Sequence, residues 1–447
     1  MASHMDFLYP NLSSTSDLPA YSLTPCDRLA LPSYSFELAY GEQSLGHTPR
    51  SRSSRPPPTS TFIRNAGKTT IILNEQEEGV SNPTYGRHGL VHGAVVLEQP
   101  HTVIRVVMKI EGKLDILTSE RGGETVKMLS ESYTLFCNST SQEACHGQLA
   151  FSAMLPTHFK HGDQEFPLPP SYHNHLEGIS TLMVRSLYNV HFIITRIRHK
   201  KLEMFPKTKH IYVPFQYVPR TRAHRPIIPR PCFFSSVKTS PEEWYQAVTT
   251  LKARPNAKIK PVTCHLFIPA GRVYGLTDTI PFHIQLSGSI CTLSDLFSAS
   301  TLDRVTSFDS QNTVVSNKAS STKPLLRVYI LRQISIATKG ESIWRNIVLR
   351  EGTINPLPPH LSNCCTSTES CRDGHVDWEG ELKPGEADDI TCGGFNAANV
   401  QAKDFIALAL SPPNLKPSPL LELQMTIPIR LVTDSWGDLT LLDTAGI

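Results

Sequence analysis

Residues 420–433 alternate apolar and polar side chains more cleanly than any other stretch of the chain. Leu421, Leu423, Met425, Ile427, Ile429 and Leu431 fall on one face, and Glu422, Gln424, Thr426 and Arg430 on the other. Successive side chains leave a β-strand on opposite faces, so a period of two over that length marks a half-buried strand. Pro428 has no N–H to give to a ladder, which predicts a sheet edge or a bulge there.

The rest of the chain reads the same way, in short β-branched stretches broken by Gly, Pro and Asn. A first set of candidate strands comprises 68–73, 91–98, 103–111, 133–137, 148–154, 187–198 and 210–217. A second comprises 262–268, 282–287, 325–338, 342–350, 405–410 and 420–433. Close spacing with turn signals between predicts β-sandwiches and excludes βαβ units. Between the sets a short linker helix is expected. Ser240 is its N-cap, Pro241 its first residue, Glu243 the capping-box partner, and Trp244, Ala247, Val248 and Leu251 its apolar stripe. That stripe is expected to pack on a sandwich. The fold class is therefore all-β, with two consecutive immunoglobulin-like sandwiches.

At 447 residues the chain has room for two such domains, each burying its own core. Pro, at 35 residues, outnumbers Gly, at 25. Residues 1–58 are rich in Ser, Pro, Leu and Tyr without periodicity, and predict a disordered tail. A net charge of +3 gives no ground for a nucleic-acid partner, whose phosphates demand a clustered basic face. The 10 cysteines are scattered without a C-x-x-C pair, which disfavours zinc ribbons and thioredoxin-type sites. With neither a signal peptide nor a membrane-spanning apolar run, a cytoplasmic protein with reduced thiols is expected, recruited to plasma membrane or endosomes.

Several segments resemble the arrestin family. Tyr85-Gly86-Arg87, Gly93–Leu97 and Val106–Gly112 resemble the opening strands of an arrestin N-terminal domain. Pro167–Ser171, Leu187–Val190 and Val213–Tyr217 are similar to that domain's second half. Phe267–Pro269 and Asp278–Leu286 are similar to the start of an arrestin C-terminal domain, and Val432–Trp436 resembles the ending of fungal arrestin-like proteins of the α type. The resemblance spans roughly residues 60–440. It implies a tail over 1–58, an arrestin N-terminal-like sandwich over 59–222, a linker over 223–260 and a C-terminal-like sandwich over 261–441. It also implies a non-enzymatic adaptor without cofactor, linking membrane-protein cargo tails to ubiquitination and endocytic trafficking. The alternatives are a structural subunit of a retromer or coat-type sorting complex, and a β-sandwich module binding an unknown ligand. The Pro-Pro-x-Tyr motifs that α-arrestins carry in a C-terminal tail are missing after Trp436.

Two groups of residues are candidates for binding partners. Leu18-Pro19-Ala20-Tyr21, Leu31-Pro32-Ser33-Tyr34 and Pro169-Pro170-Ser171-Tyr172 have the form read by WW domains, in which proline presets an extended peptide and tyrosine fills a second pocket. They predict recruitment of a WW-bearing HECT-type ubiquitin ligase. The plain alternative for Pro169–Tyr172 is a loop entering a strand. The second group is the basic run Arg196, Arg198, Lys200, Lys201, Lys207, Lys209, Arg220 and Arg222. On one surface it would meet acidic cargo or anionic membrane; its plain alternative is a solvated hairpin end.

No catalytic or metal-binding residues are expected. Gly67-Lys68-Thr69-Thr70 and Asp443-Thr444-Ala445-Gly446 look like nucleotide-site fragments, but the first continues into a strand where a phosphate loop must open a helix. His88 with His92, and His173 with His175, lack the accompanying carboxylate or Cys spacing of a metal site. Cys364, Cys365 and Cys371 lie in a Ser/Thr-rich insertion with no structural role predicted.

Overall fold

The structure is a computed structural model. It describes residues 42–44, 58–120, 122–138, 144–176, 181–200, 203–228, 233–255, 257, 259–296, 325–338, 341–358, 372–386, 390–411 and 419–436. Two sheet-rich regions follow one another, with the short helix Phe233–Thr239 between them.

In the first region a four-stranded sheet runs in the order Ser60–Asn65, Thr69–Gln76, Leu90–Leu97, Gln148–Met154. It faces a six-stranded sheet built on three long strands, Val103–Thr118, Leu182–Lys200 and Glu203–Tyr217, with Gly122–Cys137 at one edge. The alternation in Thr69–Gln76 shows why these sequences form strands. Thr69, Ile71 and Leu73 point inward and are buried, while Thr70 and Ile72 are half-exposed. Val95, Val106, Met108, Val190 and Phe192 fill the space between the sheets. Each such side chain contributes roughly 1.5–3 kcal/mol by leaving water.

The second region repeats the plan. Trp244–Thr250, Thr263–Pro269, Ile280–Ser289, Asp373–Leu382 and Thr353–Leu357 make a five-stranded sheet. The opposing sheet is built from Leu423–Val432, Val400–Leu410, Leu326–Thr338 and Glu341–Glu351. Trp378, fully buried, sits in the core between them.

Four sequence expectations need correction or refinement. The linker helix is not at 240–251. Pro241–Glu243 makes a single 3-10 turn, and Trp244–Thr250 is a strand paired with Thr263–Pro269. The aromatic and β-branched content of that stretch favours a pleated surface, and the sheet edge supplies the partner that overrides the capping signal. The helix lies just upstream, and Trp244 reaches back to it, its indole Nε1 donating to Ser236 Oγ at 2.6 Å.

Part of the predicted tail is a strand: Glu42–Ser44 pairs antiparallel with Thr221–Ala223. Leu423–Val432 has the pairing of an edge strand from Leu423 to Ile429, where Val400–Leu410 flanks one side, and Val273–Gly275 joins it in parallel at Arg430–Val432. Its polar face is exposed at Gln424 and Thr426, whereas Pro428, Arg430 and Val432 are buried where the first sandwich approaches. Finally, Cys291, on the helix Ile290–Leu296, is disulfide-bonded, against the expectation of reduced thiols throughout.

Candidate functional site

The two sandwiches meet along a seam that is part core and part polar. The first sandwich's apolar cluster continues without a break into Ile334, Ile336, Phe395, Ala397, Val400 and Ala402 of the second. Tyr172 crosses the seam to pack edge-on against Phe395, with ring centroids 5.2 Å apart.

Behind that contact lies a buried ion pair. Arg332 and Asp404 are directly paired on neighbouring strands. Arg332 Nε donates to Asp404 Oδ1 at 2.7 Å, and Nη2 donates both to Oδ2 at 3.1 Å and to the Cys392 carbonyl at 2.8 Å. Burial alone would lower the Arg332 pKa, but the Asp404 charge and its hydrogen bonds outweigh it and raise the value. Burial pushes the Tyr172 phenol up to about 12, with Arg332 pulling the other way. The Cys392 thiol is likewise raised by burial, so it stands as an inert thiol.

At its other end the seam is closed by side chains from residues 220–222 and from the residues just after the last strand. Arg220 pairs with Asp434, Nε donating to Oδ2 at 3.2 Å and Nη2 to Oδ1. The Thr221 N–H donates to Thr433 Oγ1 at 2.8 Å, and the Asp434 N–H to the Thr221 carbonyl at 2.9 Å. The Arg222 guanidinium lies 5.6 Å from the centre of the Trp436 ring. A further bridge runs from Asn399 Nδ2 to Glu124 Oε1 at 3.2 Å.

Within the seam is a cavity of about 230 Å³. Its walls come from both sandwiches: Arg87, Ser171 and Thr84 from the first, Gly393, Arg430 and Thr433 from the second. Gly393 is there because the backbone comes too close for a side chain, a Cβ at that position falling 1.8 Å from the Leu431 carbonyl oxygen.

The predicted binding residues divide sharply. Leu18, Pro19, Tyr21, Leu31, Pro32 and Tyr34 lie outside the described residues. Pro169 and Pro170 are buried in the cavity wall, the Pro169 carbonyl accepts a 2.6 Å hydrogen bond from Tyr188 Oη, and Tyr172 begins the strand Tyr172–Leu176. Ser171 and Tyr172 are half-buried, and the motif lies where a loop enters a strand.

Among the described side chains the basic run is divided between different places in the fold. Arg196 is a latch inside the first sandwich, donating to the carbonyls of Gln99 and Lys68 and to Thr69 Oγ1. Lys209 donates to the Ala66 carbonyl on the same turn, and Lys207, exposed, stands opposite Arg196. Arg198 and Lys200 lie in register with Phe205 and Glu203, and Lys201 is outside the described residues. Arg220 and Arg222 belong to the seam instead.

Two polar clusters on outer sheet faces escaped the sequence reading. His283 is fully buried, its Nε2 2.8 Å from Asp377 Oδ1, and Phe233 of the interposed helix stacks flat on it at 3.7 Å. The signal was available in Phe282-His283-Ile284-Gln285-Leu286, whose alternation sends His283 away from the core. His191 Nε2 lies 2.9 Å from His210 Nδ1, and its ring stacks on Tyr212 at 4.1 Å. That pair is set by strand register across 19 residues of sequence and has no local signature.

Among the described residues no group of three or more His, Cys, Asp or Glu side chains is arranged to hold a metal ion. Among them, too, no helix is long and apolar enough to cross a membrane. No protein-family model matches the chain, and no curated protein matches it either.

Proposed function

We propose that the chain is a non-enzymatic, arrestin-like adaptor that brings membrane-protein cargo tails to a WW-bearing ubiquitin ligase in the cytoplasm. The observation that best supports a binding role is the edge strand Glu341–Glu351. Among the described residues it pairs on one side only, with Leu326–Thr338, and it carries Trp344 and Val348 with 56% and 48% of their surfaces exposed. An open edge with large apolar side chains beside it can take an extended peptide by strand addition, backbone hydrogen bonds giving affinity and alternate side chains specificity. The ligase half of the proposal rests on the Leu-Pro-x-Tyr motifs at Leu18–Tyr21 and Leu31–Tyr34. The order of the arrestin-like segments along the sequence supports the family assignment.

The test is affinity purification of the full chain beside a chain starting at residue 59. The proposal expects ubiquitin-ligase peptides with the first and their loss with the second, cargo tails being retained by both. An unchanged set of co-purifying proteins contradicts it.

A further inference from the structure

We propose that His191 and His210 form an acid-operated clasp on the outer face of the first sandwich. It is closed while the two rings share a hydrogen bond and opens when both are protonated. The inference is independent of the adaptor reading. The two side chains stand on neighbouring strands, Leu182–Lys200 and Glu203–Tyr217, whose register sets His191 opposite Tyr212 and Ile193 opposite His210. Val190 and Phe192 point into the core, so His191 between them points outward. That diagonal placement brings His191 Nε2 to 2.9 Å from His210 Nδ1, and the Tyr212 ring lies nearly parallel to His191 at 4.1 Å.

A contact of that length needs one nitrogen to donate and the other to accept, so a single hydrogen lies between the rings. A first added proton goes to an outer nitrogen and leaves the bond in place. On the His191 side that nitrogen is Nδ1, which has no hydrogen-bond partner and lies 3.7 Å from Glu111 Oε2. A second proton must go to the accepting nitrogen. Two N–H groups then face each other between two cationic rings, and the hydrogen bond is lost.

The surroundings set the direction of the switch. His191 is only 6% exposed, whereas Tyr212 is 53% exposed and His210 is exposed as well. The charged and titratable groups facing it are Lys109 and Glu111 from Val103–Thr118, and His210 and Tyr212 from the other neighbour. The next strand, Gly122–Cys137, sets the uncharged Ser132 and Ser130 beside Lys109 and Glu111. Burial holds the His191 pKa below the ordinary 6.5, with Glu111 opposing it and His210 and Lys109 adding to it. A histidine whose pKa is lowered in the closed form takes its proton more readily once opened. Closure is therefore complete above pH 6.5 and is lost as pH falls through the closed-form value. Opening releases the Tyr212 ring and turns an aromatic stack into a cationic patch beside Lys109.

The test is NMR of the full chain with carbon-labelled tyrosine and histidine rings, titrated from about pH 7.5 to about pH 5. Tyr212→Phe assigns the Tyr212 resonance and His191→Gln that of His191. In the wild type the Tyr212 resonance should move towards the position of an unstacked ring, with the same midpoint as His191 protonation and below pH 6.5. In His210→Gln an amide that does not titrate takes the place of the second ring, and the Tyr212 movement should fall to less than half that of wild type. His210 is exposed, so the variant is expected to fold; if circular dichroism shows otherwise, His210→Ala replaces it with the same expectation. A Tyr212 resonance that stays put in the wild type, a His191 midpoint at or above 6.5, or a movement in the folded His210 variant at least half that of wild type overturns the inference.

Discussion

Arg332 grips both carboxylate oxygens of Asp404, its neighbour across the strand pair, with side-chain exposures of only 3% and 0%. The pair is buried with its hydrogen-bonding groups satisfied by each other, and the Cys392 carbonyl accepts a further guanidinium hydrogen bond. Removing one partner leaves an uncompensated buried charge. Arg332→Leu or Asp404→Leu should therefore cost about 3–5 kcal/mol in urea unfolding. Replacing both at once should cost far less than the sum of the two, because a packed apolar pair avoids the desolvation penalty.

A second ion cluster makes stability depend on pH. Asp115 accepts hydrogen bonds from Arg185 Nη2 and Thr125 Oγ1, both at 2.9 Å, with Lys113 Nζ at 3.2 Å. Burial pulls its pKa up, but the bonds from Arg185, Thr125 and Lys113 prevail and hold it below the ordinary value of 3.8. A carboxyl with a lowered folded pKa contributes stability that is fully present above 3.8 and is lost as pH falls through the folded value. Asp115→Asn should be less stable than wild type near neutral pH. The gap should close as the medium is acidified below pH 3.8. A gap that stays constant across that range would assign the loss to packing instead.

Gly93 tests the four-stranded sheet. It pairs with Leu73, and a Cβ there would fall 1.9 Å from the Ile72 carbonyl oxygen. That neighbour is backbone in a paired strand and cannot swing aside. Gly93→Ala should destabilise by about 1–3 kcal/mol or more, measured by chemical denaturation.

The Cys291 disulfide carries its own prediction. A reductant should lower the unfolding midpoint of the wild type, by an amount corresponding to about 2–4 kcal/mol, and leave Cys291→Ser unmoved. Disulfides are uncommon in the reducing cytosol, so the redox state of Cys291 in cells also bears on the proposed cytoplasmic location. Cys145, Cys264 and Cys392 are free thiols, and burial pushes that of Cys264 up to about 12.

Strand content was legible from the sequence wherever one face is buried and the other wet. Gln148–Met154 matches its predicted span, because its buried and exposed residues alternate throughout. Trp244–Thr250 was misread because its spacing satisfies a helix as well as a strand, and only the tertiary partner Thr263–Pro269 decides between them. The site was less legible than the fold. Arg332 and Asp404 are 72 residues apart, and Arg220 and Asp434 are 214 apart. No local pattern announces a partner at that distance. Charge runs mislead for the same reason: Arg196 and Arg220 look alike in sequence, yet one fastens a turn in the first sandwich and the other closes the seam.

Pro169 and Pro170 are buried at the seam, so the proposed recruitment of a ligase would rest on the two tail motifs. The most direct test is titration of isolated WW domains from HECT-type ligases against the full chain, followed by fluorescence anisotropy. The adaptor account predicts that Tyr21→Ala together with Tyr34→Ala abolishes binding, while Pro170→Ala in a folded chain leaves it unchanged. Binding that survives the loss of both tail tyrosines would contradict it.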